Sequence, residues 1–297
     1  MRWLDDLAVA SRKLGTVELT DLVPTLTLIT LLVNRVGTAE LHFGVIVLSV
    51  AGLVLPGLRK SPALWFALAA ILGMRILLVS HNLDNHGFLI AYWALALGCA
   101  FSLDDPRKAF ATQARLLVGF SFLFATLWKV GLSSDYRGGD FFHLTFLIDP
   151  RFISFTELVG GGLDEATLRN NLSLVLQLRD PAQGLESVSL QTTPRLQAIA
   201  IASTWWTAFI EGLVTVQFLI PTRWRLARYR DGTLMLFAIT TYAIAPVMGF
   251  GWLLMILGIA QTRPEQGRTR LLYVLTCFVI AAYKHVRWLD PVVDLLT

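Results

Sequence analysis

Apolar runs of the length needed to cross or nearly cross about 30 Å of hydrocarbon as helices recur along the whole of this chain. They fall at about 22–36, 41–58, 63–80, 86–103, 112–132, 196–220, within 234–260 and at 271–286. A soluble all-helical protein would need polar faces that these runs lack. Composition agrees. Of the 297 residues 55% are hydrophobic and 15% charged, against about 25% charged in soluble domains, and the mean hydropathy is +0.61. The reading is an all-α, polytopic integral membrane helical bundle of about eight transmembrane helices, eight or nine, with one exoplasmic lid loop.

Punctuation supports the breaks. Pro56-Gly57 closes the second run, and Pro62 opens the third where a missing N–H costs little. Asp104-Asp105-Pro106 closes the fourth, and Pro194 and Pro221 bracket the sixth. The stretch 234–260 would reach roughly 40 Å as one helix. It holds Pro246, Gly249 and Gly251, so it is one kinked span or two short broken ones; a single span is preferred. The organisation expected is an amphipathic surface segment over 1–20, transmembrane helices 1–5 over 21–132, an exoplasmic lid over 133–195 and helices 6–8 over 196–297. The lid holds the polar, glycine-rich stretches Gly138-Gly139 and Gly160-Gly161-Gly162.

The placement of positive charge orients the chain. With eight spans, about fourteen basic residues, Arg12, Lys13, Arg59, Lys60, Arg107 and Arg230 among them, share the side of the N-terminus. About four, Arg35, Arg263, Arg268 and Arg270, fall in short loops on the other. Lys/Arg bias of this kind marks the cytoplasmic side. The expected location is the inner or plasma membrane, N-terminus cytoplasmic, with the lid and the ends of spans 3 and 5 exoplasmic. A second span within 234–260 would flip only the C-terminal end. The net charge of +4 is not a nucleic-acid signal. Cys99 and Cys277 lie in apolar runs and read as small apolar fillers, and five histidines give no ligand spacing, so no metal is expected.

Ionisable groups inside spans are expensive and are functional candidates for that reason. Lys129, in Ala125-Thr-Leu-Trp-Lys129, lies near the exoplasmic end of span 5. It is either a lysine snorkelling to anchor the helix end or a partly desolvated amine whose charged form burial disfavours, and so a usable base. His86 opens span 4 in Asn82-Leu-Asp-Asn-His86, either as part of an interfacial capping cluster or as an imidazole at the mouth of a cavity. Arg75 in span 3 cannot neutralise itself and needs a partner; Glu211 in span 6 is a possible one. Trp128 is equally consistent with an interfacial belt.

The segment Asn85-His-Gly-Phe-Leu-Ile-Ala-Tyr-Trp93 resembles the Asn-His-x-aromatic-Leu opening of a membrane helix in vitamin K-dependent gamma-glutamyl carboxylases and in the broader HTTM (horizontally transferred transmembrane) family. The segment Phe122 to Gly139, with Trp128-Lys129 followed by Asp135-Tyr-Arg-Gly-Gly139, is similar to that family's Ala-Gly-x-x-Lys-x-x-x-x-Trp-x-x-Gly segment, and order and spacing also fit. The resemblance implies that Lys129 takes the place of the lysine that deprotonates vitamin K hydroquinone, and His86 that of an active-site histidine. In that chemistry oxygenation of the hydroquinone yields a strong base, which removes a γ-proton of glutamate so that the carbanion takes CO2. It further implies a reduced quinone as cofactor, with Asn85, Trp128, Tyr136, Gly139 and Arg75 as candidates to line its site, and a lyase-type, quinol-epoxidising activity facing the exoplasm. Two departures stand out. Tyr136 replaces the usual tryptophan, and the sequence ends at Thr297, where the carboxylases continue into a large lumenal domain that recruits peptides. The alternative is a non-catalytic quinone- or lipid-binding subunit with a protein partner in a membrane assembly.

Overall fold

The computed structural model describes residues 2–34, 37–79, 85–244 and 247–285, and among them the chain is helical with no strand. The helices are α1 (Arg2–Thr16), α2 (Leu19–Val33), α3 (Ala39–Val54), α4 (Pro56–Arg59), α5 (Pro62–Val79), α6 (Asn85–Phe101), α7 (Pro106–Leu127), α8 (Ser134–Gly138), α9 (Asp140–Ile148), α10 (Ile153–Val159), α11 (Glu165–Arg179), α12 (Pro194–Leu219), α13 (Arg230–Ile244), α14 (Met248–Ala260) and α15 (Gly267–His285). A π-helical turn, Trp128–Leu132, prolongs α7. Among the described residues two helices are long and apolar enough to cross a membrane: α7 with its π turn, 27 residues, and α12, 26 residues. At 1.5 Å per residue each is about 40 Å long. α3, α14 and the cores of α5 and α6 are shorter apolar helices.

The chain divides into two compact units. One comprises Met1–Ser121, Val214–Ile239 and Val247–Ile280, the other Phe122–Leu213, Thr240–Pro246 and Ala281–Thr297, so that α7 and α12 each contribute to both.

In the first unit, α5 and α6 form the most extensive helix pair, and α2 packs on α3 and α14. Some polar groups in this apolar interior find partners on their own helix or on the next one. The buried Trp93 indole donates to Thr27 Oγ1 at 3.1 Å, and Thr27 itself donates to the Val23 carbonyl at 2.9 Å. The unit turns large apolar side chains outward: Phe43, Val54, Leu77 and Phe278 are exposed. An apolar surface this extensive is matched by hydrocarbon or by another protein. The expected amphipathic N-terminal segment is a helix, α1, bent by 104° from α2.

The stretch read as one span over 234–260 is two helices, a correction to the preferred reading. Helix α13 ends at Ile244 and α14 begins at Met248, while Ala245 and Pro246 lie outside the described residues. α14 runs antiparallel to α2. Gly249 lies against Asn34, just past the end of α2, and Ala260 lines one cavity with Leu19, at its start. Arg230, which opens α13, lines that same cavity, so both outer ends of the stretch share one end of the unit. The sequence shows the cause: proline lacks the N–H that would continue the ladder, and Gly249 and Gly251 follow it closely.

In the second unit the segment 133–195, expected as a lid, is a folded helical piece with its own core. Phe146, Leu147, Phe152, Leu163, Leu168, Leu196 and Ala200 are buried together. Asn171, fully buried, closes the piece by donating to the Gln191 carbonyl and accepting from the Gln191 amide, both at 2.9 Å.

Candidate functional site

Lys129 sits in the π turn that ends α7. Widening the last turn to an i→i+5 bond, Ser133 N to Trp128 O at 2.9 Å, leaves carbonyls without helical partners. Arg137 returns to fill two of them, donating through Nη1 to Val130 O at 2.9 Å and Gly131 O at 3.1 Å. A cation at a helix C-terminus also answers the helix dipole. Ser133 then caps α8, its Oγ accepting from the Tyr136 amide at 3.2 Å. The chain therefore reverses within a few residues, and the reversal carries Tyr136 back beside Lys129.

The ammonium of Lys129 lies 5.1 Å from the centre of the Tyr136 ring, within cation–π range. On its other side Lys129 Nζ donates to Glu211 Oε1 on α12 at 2.5 Å. The two side chains are 17% and 7% exposed, so the pair is sheltered rather than turned out to lipid or headgroups. The second oxygen, Glu211 Oε2, is buried and accepts no hydrogen bond among the described residues.

Tyr136 is buried, stacked on Phe141 with ring centres 5.4 Å apart and met edge-on by Phe142 at 5.6 Å and Trp128 at 6.5 Å. Burial, reinforced by the charge of Glu211, holds its phenol well above the ordinary tyrosine range; Thr207 nearby offsets this in part. The phenol makes no hydrogen bond of good geometry.

Gly139 fixes the distance between this turn and α12. It ends α8 in the left-handed region, at φ +86°, and a Cβ there would lie 2.8 Å from Ile201 Cγ1 and 3.2 Å from the Ile201 backbone nitrogen. Only glycine meets both demands without strain.

The sequence-derived candidates therefore separate. Lys129, Trp128, Tyr136 and Gly139 converge in the second unit, where Glu211 joins them. Arg75 belongs to the first unit; it is half-buried, its stem packs near Gly37, and its Nε has no hydrogen-bond partner among the described residues. Glu211 is engaged by Lys129, which replaces the Arg75–Glu211 pairing considered from sequence. α6 begins at Asn85, but the side chains of Asn85 and His86 lie outside the described residues, and with them the capping cluster. The sequence reading did not find Phe141 and Phe142, and it left Glu211 out of the site. One signal was available: Thr204, Thr207, Glu211 and Thr215 form a polar stripe at helical spacing along α12. No group of His, Cys, Asp and Glu that could hold a metal occurs among the described residues.

Chemically, the arrangement offers one amine, one carboxylate with a free acceptor position, and the exposed rings of Trp128 and Phe141. Comparison with known proteins adds no relative: neither the protein-family models nor the curated proteins nor the solved structures give a match.

Proposed function

We propose that this chain is an integral membrane protein of the HTTM, vitamin K-dependent carboxylase-like type, and that its Lys129–Glu211 pair takes a proton from the hydroxyl of a quinol at the exoplasmic end of the fifth span. The observation that carries the reading is the sheltered pair with its uncommitted oxygen, Glu211 Oε2. A buried polar atom without a partner marks a place where a ligand can supply one, and a quinol hydroxyl is such a donor.

The pair can exist as ammonium and carboxylate or as amine and acid. Both forms are neutral overall, which is what a site screened from water favours. In the amine form Lys129 has a lone pair to accept the hydroxyl proton. Lys129 then becomes an ammonium beside a neutral Glu211 acid, and the quinolate left by the transfer supplies the balancing negative charge. A reduced quinone bound here would supply the oxygen-reactive ring; the exposed rings of Trp128 and Phe141 beside the pair offer flat apolar surfaces suited to one. His86 is assigned the supporting role that the resemblance implies.

In this reading nine helices, α2, α3, α5, α6, α7, α12, α13, α14 and α15, cross the bilayer, and the N-terminus is cytoplasmic. The division of 234–260 moves Arg263, Arg268 and Arg270 to the side that already holds Arg12, Lys13, Arg107 and Arg230, which strengthens the charge bias behind the orientation.

The test is quinone epoxide formation by the purified full chain given a reduced naphthoquinone, oxygen and bicarbonate, compared with Lys129→Ala and Glu211→Gln. Epoxide from the wild type and its loss in both variants is expected. Absence of epoxide from the wild type, or equal amounts from all three, overturns the enzyme. Quinone retained by such an inactive protein would assign it the non-catalytic binding role instead.

A further inference from the structure

We infer that the first unit carries a binding site for an anionic phosphate group, as found on a lipid headgroup, in a cavity of about 570 Å³ at the start of α7. Five cations line it: Arg107, Lys108, Arg115, Arg230 and Arg263, against a single carboxylate, Asp105. Arg107 and Arg115 lie two helical turns apart on one face of α7, so the positive wall extends about 12 Å along the helix. Arg230 begins α13 and Arg263 follows α14, so cations from three separate elements face one volume.

These charges are not spent on the protein's own acids. Among the described residues, no carboxylate lies within ion-pair distance of the Arg107, Lys108, Arg115 or Arg263 side chain. Arg230 reaches only Asp231, at 4.0 Å. Asp105 accepts from the Lys108 backbone amide at 3.1 Å and is committed to capping α7. Arg115, half-buried and about two turns inside an apolar helix, is the most demanding of the set. A cation at that depth needs an anion or water beside it, and the structure provides a cavity there in place of a carboxylate.

A second polar group points to the same ligand. Gln261, 7% exposed, lines the cavity; its Nε2 donates to the Leu257 carbonyl at 3.0 Å, and its Oε1 is buried with no hydrogen-bond partner among the described residues. Cations recognise the phosphate oxygens, while the free amide oxygen calls for a donor next to them. A phosphodiester with a hydroxylated headgroup, phosphatidylglycerol for example, offers both. A positive pocket among membrane helices on the cytoplasmic side is where such lipids concentrate.

The inference shares only the membrane location with the proposed function. Epoxide formation tests that proposal through Lys129, and the experiment here avoids the Lys129 site. The full chain in neutral detergent is titrated with dioleoylphosphatidylglycerol, dioleoylphosphatidylcholine, dioleoylphosphatidic acid or inorganic phosphate, and is followed by thermal unfolding and native mass spectrometry. Phosphatidylglycerol is expected to be retained and to raise Tm, with phosphatidylcholine inert. Arg115→Gln combined with Arg263→Gln lowers the affinity roughly thirtyfold, the loss of two cations near the surface. The control, Arg223→Gln with Arg225→Gln, removes two cations that do not line the cavity and changes it less than about twofold. Gln261→Leu weakens phosphatidylglycerol and spares phosphatidic acid. Stabilisation by millimolar phosphate alone assigns the same cavity to a free phosphate. Equal binding of phosphatidylcholine, or equal loss in the control, overturns the site. An unchanged Tm of the lipid-free variants shows that folding is intact, and an Arg115→Lys variant that retains binding supports the charge argument if they are not.

Discussion

Lys129 and Glu211 stand 82 residues apart in sequence, yet their side chains meet at 2.5 Å inside a largely sheltered corner of the second unit. Removing one partner of such a pair leaves the other charged or polar group uncompensated, which costs about 3 kcal/mol or more. Lys129→Met and Glu211→Leu are each expected to lower thermal stability by that order. The double variant is expected to recover most of the loss, because no orphan remains. Unfolding in detergent across the four proteins yields the coupling directly. Additive losses would place the two groups in separate environments. Activity, in contrast, should stay absent in the double variant.

Gly139→Ala tests whether the glycine shapes the site or only neighbours it. The substitution meets two obstacles: φ of +86° and the Ile201 backbone 3.2 Å from the new Cβ. A left-handed alanine costs about 1–2 kcal/mol before any clash. The expected result is a loss of about 2 kcal/mol, and Ile201→Ala should restore only part of it: the side-chain contact at 2.8 Å goes, while the positive φ and the backbone atoms at 3.2 Å stay in place. Complete rescue by Ile201→Ala would attribute the effect to the side-chain contact alone.

Tyr136 links the site to pH. Its phenol is held above the ordinary value of 10.0, burial being the main cause and the Glu211 charge the second. A group whose folded value is raised adds stability that is complete below the unfolded value and is lost as pH rises beyond it. Stability should therefore hold up to about pH 10 and decline above it. Tyr136→Phe should flatten part of that decline and remove one late-ionising tyrosine from an absorbance titration. An unchanged alkaline profile would mean that the phenol is open to solvent.

Much of this was legible in the residues, and the gaps have physical causes. The apolar runs announced the helices because a 3.6-residue period with no polar face leaves few alternatives, and two of them, α7 and α12, are long enough to cross a membrane. The break in 234–260 was visible as Pro246 and its glycines, but whether a proline kinks a helix or ends it depends on what packs beside it. Lys129 was singled out as an ionisable group in an apolar run, and the reversal at Gly138-Gly139 as a glycine pair. Their convergence with Glu211 was not, since pairing across 82 residues is a matter of tertiary packing. The pairing of Arg75 with Glu211, one option read from sequence, rested on opposite charge alone, whereas a lysine whose π turn aims it at α12 competes more directly. The folded core of the lid was hidden for a different reason: Phe146, Phe152 and Leu168 are spread through a polar segment, and only the tertiary fold gathers them.

Gly258 and Tyr273 provide a test of the packing in the first unit that is independent of any chemistry. A Cβ on Gly258 would lie 2.7 Å from the Tyr273 hydroxyl oxygen and closer still to its ring. Tyr273 has little freedom to yield: it is fully buried, and its hydroxyl donates to Asp231 at 2.8 Å. Small residues at helix contacts let backbones approach where lipid offers no hydrophobic drive for association. Gly258→Ala should therefore lower stability by about 2–3 kcal/mol, in the range of other overpacked cores. Tyr273→Phe should not relieve the clash, because the ring remains and the Asp231 contact is lost. Gly258→Ala combined with Tyr273→Leu should recover part of the stability by removing the ring. Thermal unfolding of the three variants checks the order. A tolerated Gly258→Ala would mean that α14 and α15 pack less closely than the geometry requires.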